Sequence, residues 1–250
     1  VMFWEKGLLA HIYDGVAEEC GWRSALVELI GEPPLDGDAR VLDIGAGTGT
    51  HVIPLARMVS HVTAVEPSRA MLSLLEQNLA SKGISNVKCL NRKWEEVDLK
   101  SELEKPYDVV IASFSLDMPD LREAITRMRS VCRGHIFLVW NHGVPAWERI
   151  FDDLWPAVHG LEYAHLPGDD ILIAALRQMG INPEVRVHDS TTAYRFSSFA
   201  EALDYFMAAI GTTDASVRRI LMEYLKNILV KENGYFVFYD RGDFSIIFWP

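Results

Sequence analysis

Three glycines spaced two apart, Gly45, Gly47 and Gly49, stand directly behind the apolar run Val41-Leu42-Asp43-Ile44. That order reads as a strand ending in a tight turn, with a helix opening near Thr50 and running through Val52, Leu55, Ala56 and Val59. Glycine lets a ligand approach the backbone closely and admits φ > 0. Such a turn lies beyond the carboxyl edge of a wound sheet, the usual ligand position, so its amides are expected to face a ligand. Asp43 stands two residues before the first glycine, and Glu66 closes the next β-type run, His61–Val65. A carboxylate at that second place accepts both hydroxyls of a ribose. The chemistry expected is therefore the binding of an adenosine-containing ligand. Dinucleotide binders share the ribose requirement, but they use GxGxxG where this chain has GxGxG.

The elements that must hold these groups alternate between two periods. Residues 7–30 carry apolar positions at helical spacing and stop at Pro33-Pro34. From Ala39 onward short β-type runs alternate with amphipathic stretches: His61–Val65, Asn86–Leu90, Asp108–Ala112 and His135–Trp140 follow the first strand. Between them, Ser68 caps a helix with Met71, Leu72, Leu75 and Leu79 on its apolar face, and a later helix carries Leu121, Ile125 and Met128. Five strands separated by helices predict a parallel sheet covered on both sides. Beyond it, Asp169–Gly180 reads as a helix and Glu184–His188 as a strand. Residues 197–231 read as purely helical, with Ser198 and Glu201 as a capping box. Two aromatic strands, Tyr235–Tyr239 and Phe244–Trp249, joined through Arg241-Gly242, close the chain. Segments 143–167 and 197–231 are read as insertions into the α/β core.

Over about residues 7–188 the chain resembles the class I S-adenosylmethionine-dependent methyltransferases. The resemblance rests on Val41 to Thr50, then Ala64-Val65-Glu66-Pro67-Ser68, then Tyr107-Asp108-Val109-Val110-Ile111-Ala112-Ser113, in that order. It implies a doubly wound, mostly parallel seven-stranded sheet in one domain over residues 1–250. Residues 1–35 would form an N-terminal helical cover, 36–142 the cofactor-binding core, and the two insertions a cover over the substrate. It further implies that Asp43 and the amides of Gly45, Ala46, Gly47 and Gly49 hold the methionine part of S-adenosylmethionine. Glu66, with Pro67 beside it, would hold the ribose, and the backbone around Ser113 would touch the methionine end. Phe3-Trp4 and Ile12-Tyr13-Asp14 are similar to the start of small-molecule members, which makes Tyr13 a candidate cofactor contact. One departure concerns the adenine. The family's Asp-Ala pair after the third strand is replaced by Lys93-Trp94-Glu95-Glu96, so Glu95 is the candidate acceptor for the amino group. Trp94 either stacks on the adenine or packs beneath the loop.

Methyl transfer from a sulfonium needs an acceptor held in line at about 3–3.5 Å with water excluded, and a base only when the acceptor must lose a proton. Residues at the ends of the fourth and fifth strands should border it: Ser115, Asp117 and Met118, then Trp140, Asn141 and His142. His142 is the candidate base, and Asp117 the candidate for orienting an acceptor. Tyr194, Phe196, Phe199, Tyr205 and Phe206 either line a pocket or form the core of the second insertion. His159 and His165 fit no zinc spacing, so no metal is expected.

Composition narrows the acceptor. The net charge of -11, with no basic run, opposes a phosphate backbone. No Asn/Asp-Pro-Pro-Tyr/Phe sequence and no Pro-Cys pair follows the fourth strand, which argues against adenine-N6 and cytosine-C5 chemistry. A small-molecule acceptor, with S-adenosylhomocysteine as the second product, is the leading expectation; no nucleic acid or membrane partner is expected. Cys20, Cys89 and Cys132 are widely spaced and suit a reducing, cytoplasmic setting. No signal peptide and no run long enough to cross a bilayer is read. Two alternatives compete: a nicotinamide-dependent oxidoreductase on a related fold, and a non-catalytic S-adenosylmethionine-binding protein.

Overall fold

The computed structural model describes residues 7–17, 20–32, 35–116, 118–165 and 167–250. Its centre is one sheet in the order β3-β2-β1-β4-β5-β8-β6, with a short β7 paired to β8. The strands are β1 (Arg40–Ile44), β2 (His61–Val65), β3 (Val87–Leu90), β4 (Tyr107–Ser113), β5 (Cys132–His142), β6 (Glu184–Phe196), β7 (Val230–Glu232) and β8 (Tyr235–Trp249). β1 to β5 are mutually parallel, and β8 runs antiparallel to both β5 and β6. The chain winds outward from β1 through β2 to β3, then restarts on β1's other side with β4 and β5. The glycine turn leaves β1 at that reversal, where wound sheets open a crevice.

Alternation along each strand divides the core in two. Val41, Val62, Val109, Ile111 and Val139 face one side, under α2 (Gly21–Ile30) and α4 (Arg69–Ser81). Leu42, Ile44, Val110, Ala112 and Leu138 face the other, under α5 (Leu121–Val131) and α7 (Asp169–Gln178). These strands read as continuous apolar runs because helices cover both faces. Local chemistry sets the helix starts. Ser68 Oγ accepts from the Met71 amide at 3.2 Å, and Asp120 Oδ1 from that of Glu123 at 2.9 Å.

A third apolar cluster forms the cover. It joins Leu9 of α1 (Gly7–Ala17) to α6 (Ala146–His159), α8 (Phe199–Ile210) and α9 (Ala215–Ile228), with Phe196 and Phe238 from β6 and β8 beneath. The helices of both insertions thus share one core with the N-terminal helix.

Several elements depart from the sequence reading. The helical span 7–30 is two helices, α1 and α2, among the described residues. The helix after the glycines, α3, is a single turn, Val52–Leu55. β6 runs eight residues past its expected end, to Phe196, and β8 is one strand rather than two. Arg241-Gly242 makes no turn: the pair sits opposite Thr191 and Ser190 in the ladder. A Cβ at Gly242 would lie 3.2 Å from Pro145 Cα, so this glycine marks a close backbone approach. The real turn is Asn233-Gly234, both at positive φ, between β7 and β8.

Candidate cofactor and acceptor sites

The three glycines are needed for different reasons. At Gly45 (φ +76) a Cβ would lie 2.2 Å from Ser115 Cβ, and at Gly49 (φ +103) it would lie 2.6 Å from Leu75 Cδ1. Both are therefore fixed by backbone conformation and by packing. At Gly47 (φ +55) the nearest atom to a Cβ would be Tyr13 Cε1 at 3.6 Å, so its open side faces α1.

The amides of this turn are not the cradle that the sequence suggested. Gly45 and Ala46 both donate to the Val65 carbonyl, at 2.8 and 3.1 Å, and Gly49 donates to Ala46 at 3.0 Å. Gly47 donates to Glu66 Oε2 at 2.8 Å, while Ser68 donates to Glu66 Oε1 at 2.7 Å. The N–H groups of Gly45, Ala46, Gly47 and Gly49 are thus all engaged, three because the turn closes onto the end of β2 and that of Gly49 within the turn itself. What the turn offers inward is acceptors. Asp43 is 2% exposed, and its Oδ2 has no partner. Burial first, then the neighbouring Glu66, pushes its carboxyl up to about 7. An acidic, donor-poor crevice fits the ammonium and sulfonium charges of S-adenosylmethionine. It does not fit a pyrophosphate, which needs free amides at a helix N-terminus.

Neighbouring elements lock the turn. Asn78 of α4 donates to both Asp14 Oδ1 (2.8 Å) and the Thr48 carbonyl (3.1 Å), pinning α1 and the turn together. Asn91 donates to the Glu66 and Pro67 carbonyls, both at 2.9 Å. Neither asparagine stands out in the sequence, because their partners, the Asp14 carboxylate and three backbone carbonyls, lie far along the chain. Tyr13 lies over the turn, and burial raises its phenol strongly. His51, 3% exposed, has no partner on either ring nitrogen, and burial lowers it to about 3.

The remaining candidates divide. Ser113 pairs with Val139 at the end of β4, next to Phe114, whose φ of +50 is unusual for a bulky residue. Trp94 does not offer a stacking face. It is 2% exposed, its indole donates to the Ala124 carbonyl at 3.2 Å, and the Arg127 guanidinium lies 5.3 Å above its ring. The packed reading replaces the stacked one, because the 3-10 turn Trp94–Glu96 folds its indole under α5. Glu95 is exposed on that turn. Asp117 lies outside the described residues, as do Phe3 and Trp4.

His142 ends β5 on the face of α7, where its Nδ1 is 2.8 Å from Asp169 Oδ2, which also accepts from Ser245 Oγ. The hydrogen bond to Asp169 holds its pKa above the usual histidine range. Strand alternation puts its neighbour Asn141 on the other face. There a small cavity of about 40 Å³ opens between β4, β5, β6, β8 and α2. Trp22, Phe114, Asn141, Ser190, Thr192 and Asp240 line it; His142 does not. As a base, His142 would have to act from outside this cavity. Phe196, Tyr205 and Phe206 are buried in the cover's own core, which settles their reading as packing. His165 is held between Glu148 (2.8 Å) and Asp152 (2.9 Å), and among the described residues no cluster has the makings of a metal site.

Residues 41–135 match the family model described as a methyltransferase domain. That stretch holds the glycine turn, Asp43, Glu66 and β4 together. The chain carries an S-adenosylmethionine-dependent methyltransferase domain. Its cofactor is accordingly S-adenosylmethionine. The methyltransferase is 25% identical to an uncharacterised protein of Haemophilus influenzae over 83% of this chain and 74% of that one. It is 32% identical to the ribosomal RNA small subunit methyltransferase G of Trichormus variabilis, over 44% of this chain and only 41% of that protein. A Bacillus halodurans structure classed as a methyltransferase shares the fold, with a TM-score of 0.59 at 18% identity, covering 90% of this chain and 97% of that one. Among the described residues no helix is long and apolar enough to cross a membrane.

Proposed function

We propose that this methyltransferase moves the methyl group of S-adenosylmethionine to a small-molecule acceptor, with the cofactor at the glycine turn. The observation that carries the cofactor placement is the unpartnered, buried carboxylate oxygen of Asp43 beside Glu66. Leaving a buried carboxylate oxygen without a partner costs about 1–3 kcal/mol, more for a charged group, and a cationic amine removes that cost. S-adenosylmethionine supplies an electrophilic methyl on a positively charged sulfur. Around it, Asp43 receives the amine, and Gly45, Ala46, Gly47 and Gly49 allow close approach. Glu66, steadied by Asn91 beside Pro67, takes the ribose hydroxyls; Tyr13 and the Ser113 backbone close the methionine end. Glu95 remains the candidate for the adenine amino group. The segments 1–35, 143–167 and 197–231 act as the cover that excludes water, since α1, α6, α8 and α9 share one apolar core. Cys20, Cys89 and Cys132, none of them joined in a disulfide, suit a cytoplasmic enzyme.

Support for a small acceptor comes from the small cavity beside Phe114 and from the net charge of -11. The similarity to a ribosomal RNA methyltransferase spans less than half of either chain and so bears on the shared domain rather than on the acceptor. Labelled methyl transfer into cell extract tests this directly. Radioactivity is expected in the small-molecule fraction; label confined to RNA would refute the assignment. Calorimetry with S-adenosylhomocysteine and with NADH tests the cofactor independently, with heat expected only from the first.

A further inference from the structure

The cavity next to Phe114 has a chemistry of its own. Trp22 and Phe114 meet edge to face, with centroids 5.3 Å apart, and Phe244 closes a further side. Asn141, Ser190, Thr192 and Asp240 supply the polar lining, and among the described residues no Lys, Arg or His is part of it. The Ser190 hydroxyl is buried there without a partner. Register explains the grouping: Thr192 faces Asp240 and Ser190 faces Gly242 across β6 and β8, so these residues share one sheet face with Asn141, which sits opposite Phe244. Asp243 also borders the cavity, but its side chain leaves toward the α7 face, beside His142.

We propose that this cavity binds the ammonium head of a small amine, so that the methyl acceptor is an amino compound. Two aromatic rings, a carboxylate and several neutral oxygens around one small space attract a cation through charge and ring quadrupole together. An anion meets the Asp240 charge with nothing in the lining to offset it. Arg149, the cation whose charge reaches Asp240, is exposed, and its guanidinium is bound to the Val144 carbonyl at 2.9 Å. Burial pushes the Asp240 carboxyl up to about 6, so it is ionised at neutral pH. One of its oxygens accepts from the Trp147 amide at 3.1 Å at the start of α6, which fixes the side chain in place. The volume of about 40 Å³ compares with roughly 10–15 Å³ for one water centre, room for a head group of a few atoms. Only the purpose of the bound amine rests on the methyl-transfer reading; the binding itself does not.

Saturation-transfer NMR with ethylammonium, ethanol and acetate, each with and without S-adenosylhomocysteine, tests the proposal. Ethylammonium is expected to bind the wild-type protein saturably, with ethanol weaker and acetate absent. Asp240→Asn keeps an oxygen for the Trp147 amide but removes the charge, and is expected to weaken ethylammonium at least tenfold. Asp240→Glu keeps the charge and is expected to retain binding; near-ultraviolet circular dichroism shows whether either variant has lost its fold. The proposal fails if ethylammonium does not bind, if acetate binds as well as ethylammonium, or if a folded Asp240→Asn binds it unchanged. Loss of the methyl-transfer reading would look different: no heat with S-adenosylhomocysteine, with ammonium binding intact.

Discussion

The cofactor crevice and the acceptor cavity are neighbours, but they are built in opposite ways. The crevice is made by one strand-turn-strand unit, in which Gly47 donates to Glu66 and the amides of Gly45 and Ala46 close on Val65. The cavity collects residues from α2, the end of β4, β5, β6 and β8, with Pro145 ahead of α6, so its lining comes from places far apart in the chain. The first is rigid because backbone bonds and glycine sterics fix it. The second depends on how the covering helices settle, and it is the part that family members are free to alter.

That contrast is sharpest at Gly45. Replacing it with Ala puts a Cβ against Ser115 in a positive-φ backbone, and a loss of about 3 kcal/mol or more is expected in urea unfolding, together with cofactor binding. If Gly45→Ala unfolds like the wild type, the turn is looser than described. Leu221→Ala, in the core of the cover, should cost about 2–5 kcal/mol of stability. Its calorimetric affinity for S-adenosylhomocysteine should stay within about threefold; a collapse of that affinity would show the two regions to be one cooperative unit. Glu66→Ala should weaken the same ligand by about 1.5–3 kcal/mol, the scale for hydrogen bonds to a charged group. Because Glu66 also braces Gly47 and Ser68, some loss of melting temperature should accompany it.

The smallest effect is one of pH. Asp43 is held up to about 7 by burial and by Glu66, above its value in the unfolded chain of about 3.9. The stability this contributes is complete below about pH 4 and is lost as pH rises through about 7. A bound cation favours the ionised carboxylate, so affinity for S-adenosylmethionine should climb between about pH 6 and 8, by at most tenfold per unit. Asp43→Asn should flatten that dependence. A wild-type affinity that does not change with pH would remove Asp43 from the amine site.

Much of the first half of the fold was legible because it is locally encoded. Short, continuous apolar runs identified β1, β2 and β4, and Ser68 marked the start of α4 as the structure shows. β6 and β8 were harder to read. Their long pairing puts polar residues such as Arg186 and Asp189 on an exposed edge, so the periodicity fades where the ladder continues. Trp94 was ambiguous for a related reason: an indole packs or stacks according to what lies above it, here Arg127 from a distant helix.

Residue order alone determined the glycine turn, the two carboxylates around it and therefore the class of cofactor, since backbone sterics and short-range spacing leave few alternatives. Tertiary structure decided which hydrogen-bonding groups the turn presents, because its N–H groups find partners on β2 that no local pattern records. It likewise decided that Asn141 and Asp240, rather than His142, line the cavity, for the face a strand residue occupies depends on register with strands far away in the chain.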